Sequence, residues 1–557
     1  MVAFSTIFAG LLLSASGLAS PLGTNTIEPD GRKFGNILCH IPIVQNFLCP
    51  RASNNKLLTV STPIGTAQGV STIQGVRRFP VKYASAARWA ESSVVTSWSL
   101  PNGASNPSAQ PLFCPQADAE PSEYSEDCLS MIIHAPDRII NKGASNAPVM
   151  VWIHGGSFLS GSATGPGLDA SQLAEATGSV VAVIQYRLGA LGFMSPSGST
   201  NLAVRDVMNS LKFLQKVAAS FGGNANKITV VGQSSGAHMI RALLAAPSAS
   251  SLFQSAILQS DPMDFGFMSQ AGQRELQTFF NEQISCASSN SNCLQGLTVE
   301  AILSAQDDLF WEASYLVPLA GQFEPIRPVR DGSLINTSLD STTPFAKVSK
   351  PILISTVNKE AAPTIYGNFD FEITTDGFPS YGQVVGATFG DPRTSQIIDS
   401  QYYQVAENED ARAAIERMGT DYLWKCSGWT MARNWVKNGG TAYVGLYTLG
   451  STYPANAGVS VCSEAGNVCH QDDIQIVFGT APNPTTAQSN LIKEVQARYA
   501  AFLNTGNPNA SGLPVWTKAT TADVHALLLG GSGEAPVGAC DPAFWGSAVQ
   551  YDYQYYA

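Results

Sequence analysis

The stretch KITVVGQSSGAHMIRALLAA, residues 227–246, joins two different local patterns without a linker. Four β-branched residues, 228–231, are followed at once by Gly-Gln-Ser-Ser-Gly and then by an apolar, helix-forming run. The chain must therefore pass from a buried strand to a helix within three residues. Two interpretations fit: a tight turn that happens to contain Ser234, or a nucleophile elbow whose glycines let strand and helix approach closely and leave the serine at the tip. The pattern is short, so it needs a structural context and partner residues.

Short apolar runs rich in β-branched residues alternate with helical stretches along the chain. The runs are PVMVWIHGG, SVVAVIQYRLG, KITVVGQS, SAILQS, PILISTVN and AYVGLYTLG. Nearly continuous apolar strands separated by helices predict an α/β fold with a large, mostly parallel sheet covered on both faces. Regions 261–345 and 363–420 have weaker strand signals and are interpreted as helical insertions. No linker rich in Pro, Gly or Ser divides the chain, so we expect one domain over 20–557.

The N-terminal residues 1–19 have the composition of a secretory signal peptide. An apolar segment gives way to small residues, with Gly17 and Ala19 suitably placed before a cut near Ser20, although a positively charged start is missing. A short membrane anchor is the alternative interpretation. The apolar run is too short to span a bilayer, and no later run approaches eighteen apolar residues, so secretion without stable membrane anchoring is expected.

The ten cysteines agree with an oxidising compartment. Four local pairs and one long-range pair account for all of them: Cys39 with Cys49, Cys114 with Cys128, Cys286 with Cys293, Cys462 with Cys469, and Cys426 with Cys540. No spacing suggests a zinc or dithiol redox site, so neither a metal nor a cofactor is expected. The sequons at Asn336 and Asn509 are compatible with a secreted glycoprotein.

The charge balance argues against polyanionic partners. The net charge is −11 and no long basic run occurs, which disfavours binding to nucleic acid or to an anionic membrane. Hydrophobic residues make up 44% of the chain and charged residues 13%, as in an ordinary globular protein with a large core. The oligomeric state is left open by these features.

Ser234 needs a general base, and the chain contains only six histidines. His470 lies in a polar loop that contains Cys462 and Cys469 and leads into the start of an apolar helix. The segment reads CSEAGNVCHQDDIQIVFG. His238 lies one helical turn beyond Ser234, where it packs or faces solvent. His154 follows a strand and precedes two glycines. The remaining three, His40, His134 and His525, are interpreted as structural.

Seven segments in order along the chain resemble signatures of the type-B carboxylesterase, cholinesterase and fungal lipase family of α/β hydrolases. They are the elbow at 228–241, SEDCL at 125–129, WIHGGSFLSG at 152–161, YRLGALGF at 186–193, LFQSAILQS at 252–260, HQDDIQIVFG at 470–479 and TGNPN at 505–509. The resemblance implies an α/β-hydrolase fold and hydrolysis of small-molecule carboxylic esters.

The resemblance implies that Ser234 is the nucleophile, His470 the base and Glu360 the acid, in an order that fits α/β hydrolases. The family commonly has Asp-Glu-Gly at the acid, whereas this chain has Lys359-Glu360-Ala361. A surface glutamate that caps the next helix is the alternative for Glu360. Ser260 and Asp473 match supporting family positions, and four further matches imply buried ion pairs in the scaffold: Arg88, Glu126, Arg187 and Asp206.

The family's Gly-Gly-Gly loop corresponds to Gly155-Gly156-Ser157. The resemblance implies oxyanion donors at the backbone N–H groups of Gly156, Ser157 and Ser235. Ser157 replaces the third glycine, so its hydroxyl would narrow the acyl site or add a hydrogen bond.

Departures from the family narrow the substrate. Gln233 replaces a glutamate before the nucleophile, and no tryptophan stands between Cys114 and Cys128, so a quaternary ammonium substrate is not expected. That loop has thirteen residues, five of them acidic, and is a poor lid for an apolar tunnel. We therefore expect a carboxylesterase for soluble or modestly apolar esters. Apolar residues of 261–268 and 308–316 are candidates for the lining of the acyl and alcohol pockets, and packing in the core explains them equally well. The alternatives are a lipase or sterol esterase, an inactive adhesion protein and a secreted serine peptidase.

Overall fold

The computed structural model describes residues 58–546, apart from 73–74, 144–145, 322–323 and 340–346. The predicted signal peptide, the Cys39–Cys49 pair and His40 lie outside the described residues.

One sheet of eleven strands forms the centre of the molecule, in the order β1-β2-β3-β6-β8-β7-β9-β10-β13-β14-β15. Its strands are β1 Leu58–Thr62, β2 Gly65–Ser71, β3 Val76–Lys82, β6 Ser130–Pro136, β7 Ala147–Ile153, β8 Val180–Ile184, β9 Gly223–Gln233, β10 Ser255–Gln259, β13 Pro351–Val357, β14 Thr441–Tyr447 and β15 Leu527–Leu529. Four two-residue strands lie outside it: β4 Ala84–Ser85, β5 Ser93–Val94, β11 Met268–Ser269 and β12 Val329–Arg330. Every pairing from β8 to β15 is parallel, and those from β1 to β8 are antiparallel.

The parallel strands are buried on both faces because they are apolar almost throughout. All five residues of β8 are buried, and so are the last six of β7. Val231 on β9 lies opposite Trp152 on β7 and Ile257 on β10. This in-register pairing brings the carboxyl ends of β7, β9, β10 and β13 to one edge of the sheet, where ligand sites of open α/β sheets lie.

Helices flank the sheet, as the alternation of patterns predicts. They are α1 Asp137–Ile140, α2 Ser171–Thr177, α3 Gly189–Phe193, α4 Leu202–Val217, α5 Ser235–Leu244, α6 Gln270–Gln283, α7 Ser291–Gly296, α8 Val299–Leu316, α9 Ala362–Asn368, α10 Tyr381–Phe389, α11 Arg393–Ile398, α12 Arg412–Gly419, α13 Cys426–Lys437, α14 Ile474–Phe478 and α15 Thr486–Thr505. A π-helical segment, Thr420–Lys425, joins α12 to α13.

The two regions predicted as insertions are helical: α6 to α8 lie in the first, and the second is made largely of α9 to α12. Within the described part of the chain, no helix is long and apolar enough to span a membrane. The sheet, its topology and the flanking helices have the α/β-hydrolase architecture that the sequence predicts.

Four of the five expected disulfides are present in the described residues: Cys114–Cys128, Cys286–Cys293, Cys426–Cys540 and Cys462–Cys469. Of the two expected ion pairs, Arg187–Asp206 is fully buried, with Arg187 Nε 2.7 Å from Asp206 Oδ2. Arg88 and Glu126 also pair, but the Glu126 side chain is about one-third exposed, so that pair is not buried as expected.

Candidate active site

Ser234 lies at a sharp turn between β9 and α5, with φ 57° and ψ −130°. A positive φ is strained for a residue with a side chain and recurs at functional sites. The glycines two residues before and two residues after Ser234 cannot be replaced by larger residues, because a Cβ at either position would collide with neighbouring backbone atoms. A Cβ at Gly232 would lie 2.6 Å from the carbonyl of Gly236, and one at Gly236 would lie 2.1 Å from the carbonyl oxygen of Ile153. The turn therefore has the geometry of a nucleophile elbow rather than of an ordinary tight turn.

Glu360 and His470 meet although 110 residues separate them. Nδ1 of His470 lies 2.6 Å from Oε2 of Glu360. Glu360 follows β13 and is only 1% exposed, and the N–H of Val357 donates to its Oε1 at 2.9 Å. The altered Lys-Glu-Ala context therefore still brings the carboxylate to the imidazole, and the alternative of an exposed helix cap is wrong.

Hydrogen bonds and a disulfide hold the loop that carries His470, both before and after that residue. Asn456 Nδ2 donates to the carbonyl oxygen of His470 at 2.7 Å. The carboxylate of Asp472 accepts from Asn456 Nδ2 and from the N–H of Cys469, which itself is bonded to Cys462. Burial raises the pKa of Asp472 to about 6.

Nε2 of His470 faces the residue before the nucleophile. It lies 3.1 Å from Nε2 of Gln233, whereas the Ser234 hydroxyl makes no hydrogen bond to His470 within the described residues. With Nδ1–H directed at Glu360, Nε2 is an acceptor, so the Gln233 amide occupies the position that a serine hydroxyl would use. Such contacts are often long in unliganded enzymes and tighten when substrate binds.

The loop after β7 approaches the elbow directly. A Cβ at Gly155 would lie 2.9 Å from Cβ of Ser234, and a Cβ at Gly156 would lie 2.3 Å from the carbonyl oxygen of Ser160. Gly156 and Ser157 both have positive φ, 111° and 53°. The N–H groups of Gly156, Ser157 and Ser235 donate to no other group among the described residues. Three unpaired donors therefore border the serine.

The two supporting positions differ in what they contact. Asp473 is fully buried and accepts from Gln259 Nε2 at 2.5 Å. Burial raises its pKa to about 7, and the nearby Glu360 carboxylate acts in the same direction. The buried hydroxyl of Ser260 has no hydrogen-bond partner among the described residues, and its backbone N–H donates to the carbonyl oxygen of Ser355 on β13 at 2.7 Å.

Ser234, Glu360 and His470 line one cavity of about 450 Å³, together with Gly155, Gly156 and Ser157. Phe113, Gln116 and Asp118 of the region around the Cys114–Cys128 loop contribute to it. A further, apolar wall comes from the second insertion and from the π-helical segment that follows it: Ile365, Val384, Val385, Phe389, Ile415, Met418, Tyr422, Leu423 and Trp424. Pro262 and Phe265 line the cavity as the sequence suggests, but no residue of 308–316 does, because α8 packs elsewhere.

The other described histidines do not join the triad. His154 is buried, stacks on Tyr186 at 4.7 Å and has its pKa lowered to about 4 by burial. His134 is also buried, and His525 lies 3.1 Å from Glu534. His238 packs inside, fully buried, and its Nδ1 lies 3.2 Å from Glu324 Oε2.

Two cavity residues carry no signal in the sequence. Glu324 lies in an insertion with no motif around it, yet it is 3% exposed and lines the cavity. Trp424 lies with its ring 5.6 Å from that of His470. Both reach the cavity through the fold of the insertions, which the sequence pattern does not specify.

Comparison with known proteins agrees with this geometry. Residues 57–538 match the model of the carboxylesterase family. The cAMP-regulated D2 protein of Dictyostelium discoideum is 28% identical over 419 residues, 73% of this chain and 76% of the relative. Pyrethroid hydrolase Ces2a of Mus musculus is 27% identical over 448 residues, 74% of this chain and 76% of the relative. A solved PNB esterase structure superposes with a TM-score of 0.67 at 24% identity, over 85% of this chain and 95% of that one.

The fold and the site define an α/β hydrolase. The chain belongs to the carboxylesterase family and is a carboxylic ester hydrolase.

Proposed function

We propose that Ser234, His470 and Glu360 hydrolyse carboxylic esters through an acyl-enzyme. Ser234 Oγ attacks the ester carbonyl carbon while its proton passes to Nε2 of His470. The tetrahedral intermediate then expels the alcohol, which takes that proton. Water repeats the sequence on the acyl-serine and releases the acid. The 2.6 Å contact between His470 Nδ1 and Glu360 Oε2, beside Ser234 in one cavity, carries this proposal.

Before the attack, His470 must exchange its contact with the Gln233 amide for one with the Ser234 hydroxyl. Both groups belong to adjacent residues at the end of β9, so a small ring movement suffices. Glu360 holds Nδ1 throughout and favours the tautomer whose Nε2 accepts a proton.

The developing oxyanion is assigned to the N–H groups of Gly156, Ser157 and Ser235. They border Ser234 and have no other acceptor among the described residues. Donors already aimed at the position where charge develops need no rearrangement during the reaction, and each typically contributes about 2.7–4 kcal/mol to barrier lowering.

The proposed substrates are soluble or modestly apolar esters. The short acidic loop at Cys114–Cys128 is the reason, because it borders the cavity without providing an apolar cover. The apolar wall from α10, α12 and 420–425 favours an alkyl or aryl group on the substrate. Long-chain hydrolysis, as in a lipase or sterol esterase, remains the competing function.

Hydrolysis of p-nitrophenyl esters from acetate to palmitate tests the function and the chain length together. The proposal expects the highest kcat/KM at short or medium chains, with all turnover lost in Ser234→Ala. A maximum at palmitate would assign a lipase instead. If no ester were hydrolysed, the alternative of an inactive adhesion protein would be supported. If peptides but no esters were cleaved, the alternative of a serine peptidase would be supported.

We also infer secretion, with residues 1–19 as the signal peptide and 20–557 as one catalytic domain. Four disulfides support this, because such bonds persist in oxidising compartments. N-terminal sequencing of the secreted protein checks it: a start near Ser20 is expected, and retention in the cytosol with free thiols would contradict it.

A further inference from the structure

A second carboxyl group lines the cavity outside the proposed triad. Glu324 is only 3% exposed, and carboxyl groups are rarely buried without a partner or a task. Its Oε2 lies 3.2 Å from Nδ1 of His238. Its Oε1 has no hydrogen-bond partner among the described residues. One oxygen of Glu324 is therefore held by the protein, and the other is left for a molecule in the cavity.

His238 fixes the distance between this carboxyl and the nucleophile. It lies on α5, and its N–H donates to the carbonyl oxygen of Ser234 at 3.0 Å. Four residues along a helix correspond to about 6 Å. The His238 ring is fully buried and packs 5.3 Å from the ring of Phe158, next to the loop of Gly156 and Ser157. His238, which holds Glu324, therefore lies about one helical turn from Ser234.

The surroundings of Glu324 and His238 favour the uncharged form of both side chains. Arg241 and Asp261 bind each other through two 3.1 Å contacts. Arg327 donates to the carbonyl oxygens of Gly266 and Glu324. Burial raises the pKa of Glu324 to about 8, reinforced by Asp261 and opposed by the two arginines. Burial and the same arginines hold the pKa of His238 well below its usual value.

Both shifts favour a neutral imidazole and a protonated carboxyl at neutral pH. In the arrangement that we assign, Nδ1–H of His238 donates to Oε2 of Glu324, and the carboxyl carries its hydrogen on Oε1. A neutral carboxylic acid in an apolar surrounding is a good donor to an ether, hydroxyl or carbonyl oxygen. The same group without a partner would cost free energy, so a substrate that supplies an oxygen is favoured over one that does not.

The direction of proton transfer assigns this carboxyl to the acyl side. His470 must protonate the leaving alcohol, so the alcohol lies near His470 and Trp424. Glu324 is instead bonded to His238, whose ring packs against Phe158 and Phe267, whereas the ring beside His470 is that of Trp424. We propose that Glu324 is a specificity-determining residue whose carboxyl donates a hydrogen bond to an oxygen atom in the acyl chain, so that esters of alkoxy, hydroxy or oxo acids are preferred over esters of alkanoic acids. This proposal rests on the proposed acyl-enzyme on Ser234.

Two substrates of nearly equal size test it: p-nitrophenyl methoxyacetate and p-nitrophenyl butyrate, which differ by one oxygen in place of one methylene. The measured quantity is the ratio of their kcat/KM values, normalised to wild type so that intrinsic reactivity cancels. Glu324→Leu is expected to lower the ratio about fivefold, the effect of losing one neutral hydrogen bond. Glu324→Gln, which keeps a donor and an acceptor, is expected to stay within about twofold of wild type.

Asp308→Leu is the matched control, because Asp308 is an exposed carboxylate on α8 that does not line the cavity. Its ratio should match that of wild type. An unchanged ratio in a folded Glu324→Leu, or an equal fall in Asp308→Leu, would overturn the proposal. Retained turnover in Ser234→Ala would instead refute the proposed nucleophile, a result independent of this ratio.

The wild-type enzyme gives a second test that needs no folded variant. The ratio of the two kcat/KM values, divided here by its own value at low pH, should fall about fivefold as pH rises through about 8, because Glu324 then loses the proton that it donates. Titration of the triad affects both substrates alike and cancels. Glu324→Gln should show a flat ratio over the same range. A flat ratio in wild type would contradict the assignment.

Discussion

The two walls of the cavity are built from different parts of the chain and differ in backbone conformation and polarity. The catalytic wall comes from the carboxyl ends of β7, β9 and β13 and from the His470 loop, and it contains strained, positive-φ residues such as Ser157 and Ser234. The substrate wall comes from α10, α12 and the π-helical segment 420–425, and it is apolar. We therefore expect the chemistry to depend on the first wall and the selectivity for chain length on the second, so the two should respond separately to mutation.

The means of support differ as well. In the catalytic wall, backbone segments approach so closely at Gly232 and Gly236 that no Cβ would fit. Glu360 is held there by hydrogen bonds to the N–H of Val357 and to His470. The substrate wall leads into α13, whose Cys426 is bonded to Cys540. A rigid catalytic wall keeps reacting groups aligned, whereas a helical wall tethered at one end can vary in shape without disturbing them.

The largest effect is expected at the nucleophile. Ser234→Ala should lower kcat/KM for p-nitrophenyl acetate by at least about 10⁴-fold, and His470→Ala should do the same because the two act as a unit. Ser235→Ala is the matched control: its buried hydroxyl makes no hydrogen bond to His470 or Glu360 in the described part of the chain, and its N–H is unchanged, so most activity should remain. Equal losses in both serine variants would mean that the elbow itself, not the Ser234 hydroxyl, had been damaged.

The next effect concerns stability of the substrate wall. Removing Cys426–Cys540, which closes a separation of 114 residues, should lower the free energy of unfolding by about 5 kcal/mol in the chain-entropy model. Removing Cys286–Cys293, with a separation of 7, should cost about 2 kcal/mol. Thermal and denaturant melts of the two double Cys→Ser variants measure the difference. A larger loss for the short loop would refute the tethering role.

Selectivity for the length of the acyl chain should change through the substrate wall. Phe389 packs against Tyr422 with ring centroids 4.8 Å apart and lines the cavity. Phe389→Ala should lower kcat/KM for p-nitrophenyl octanoate relative to acetate about fivefold, since apolar contact with the longer chain is lost. If acetate and octanoate fell by the same factor, the separation between the two walls would not hold.

The smallest expected effect tests the contact between Gln233 and His470. Gln233→Glu puts a carboxylate beside the imidazole and favours its protonated form, which cannot act as a base. The acidic limb of the pH profile of kcat/KM should therefore move to higher pH by about 0.5 to 1 unit. Gln233→Met, similar in size but uncharged, should leave the limb in place. A shift to lower pH for the glutamate would contradict the contact.

The sequence predicts the catalytic wall far better than the substrate wall. The β-branched run, the bracketing glycines and the family resemblance together lead to Ser234, Glu360 and His470, because strand ends and tight turns impose local rules on residue type. Glu324, Phe389 and Trp424 are ordinary residues of helical insertions, and their positions depend on how α9 to α13 pack. For residues 308–316, pocket lining and core packing were both open, and the structure supports core packing. The sequence could not decide between them because helical periodicity identifies a buried face without identifying what it faces.

The most direct test of the account is to find which residue carries the acyl group. Protein treated with a stoichiometric organophosphate or sulfonyl fluoride, then digested and examined by mass spectrometry, should carry one label on the peptide that contains Ser234 and lose esterase activity in proportion. Ser234→Ala should remain unlabelled. A label on another residue, or full activity in the labelled protein, would contradict the assignment of Ser234 as the nucleophile.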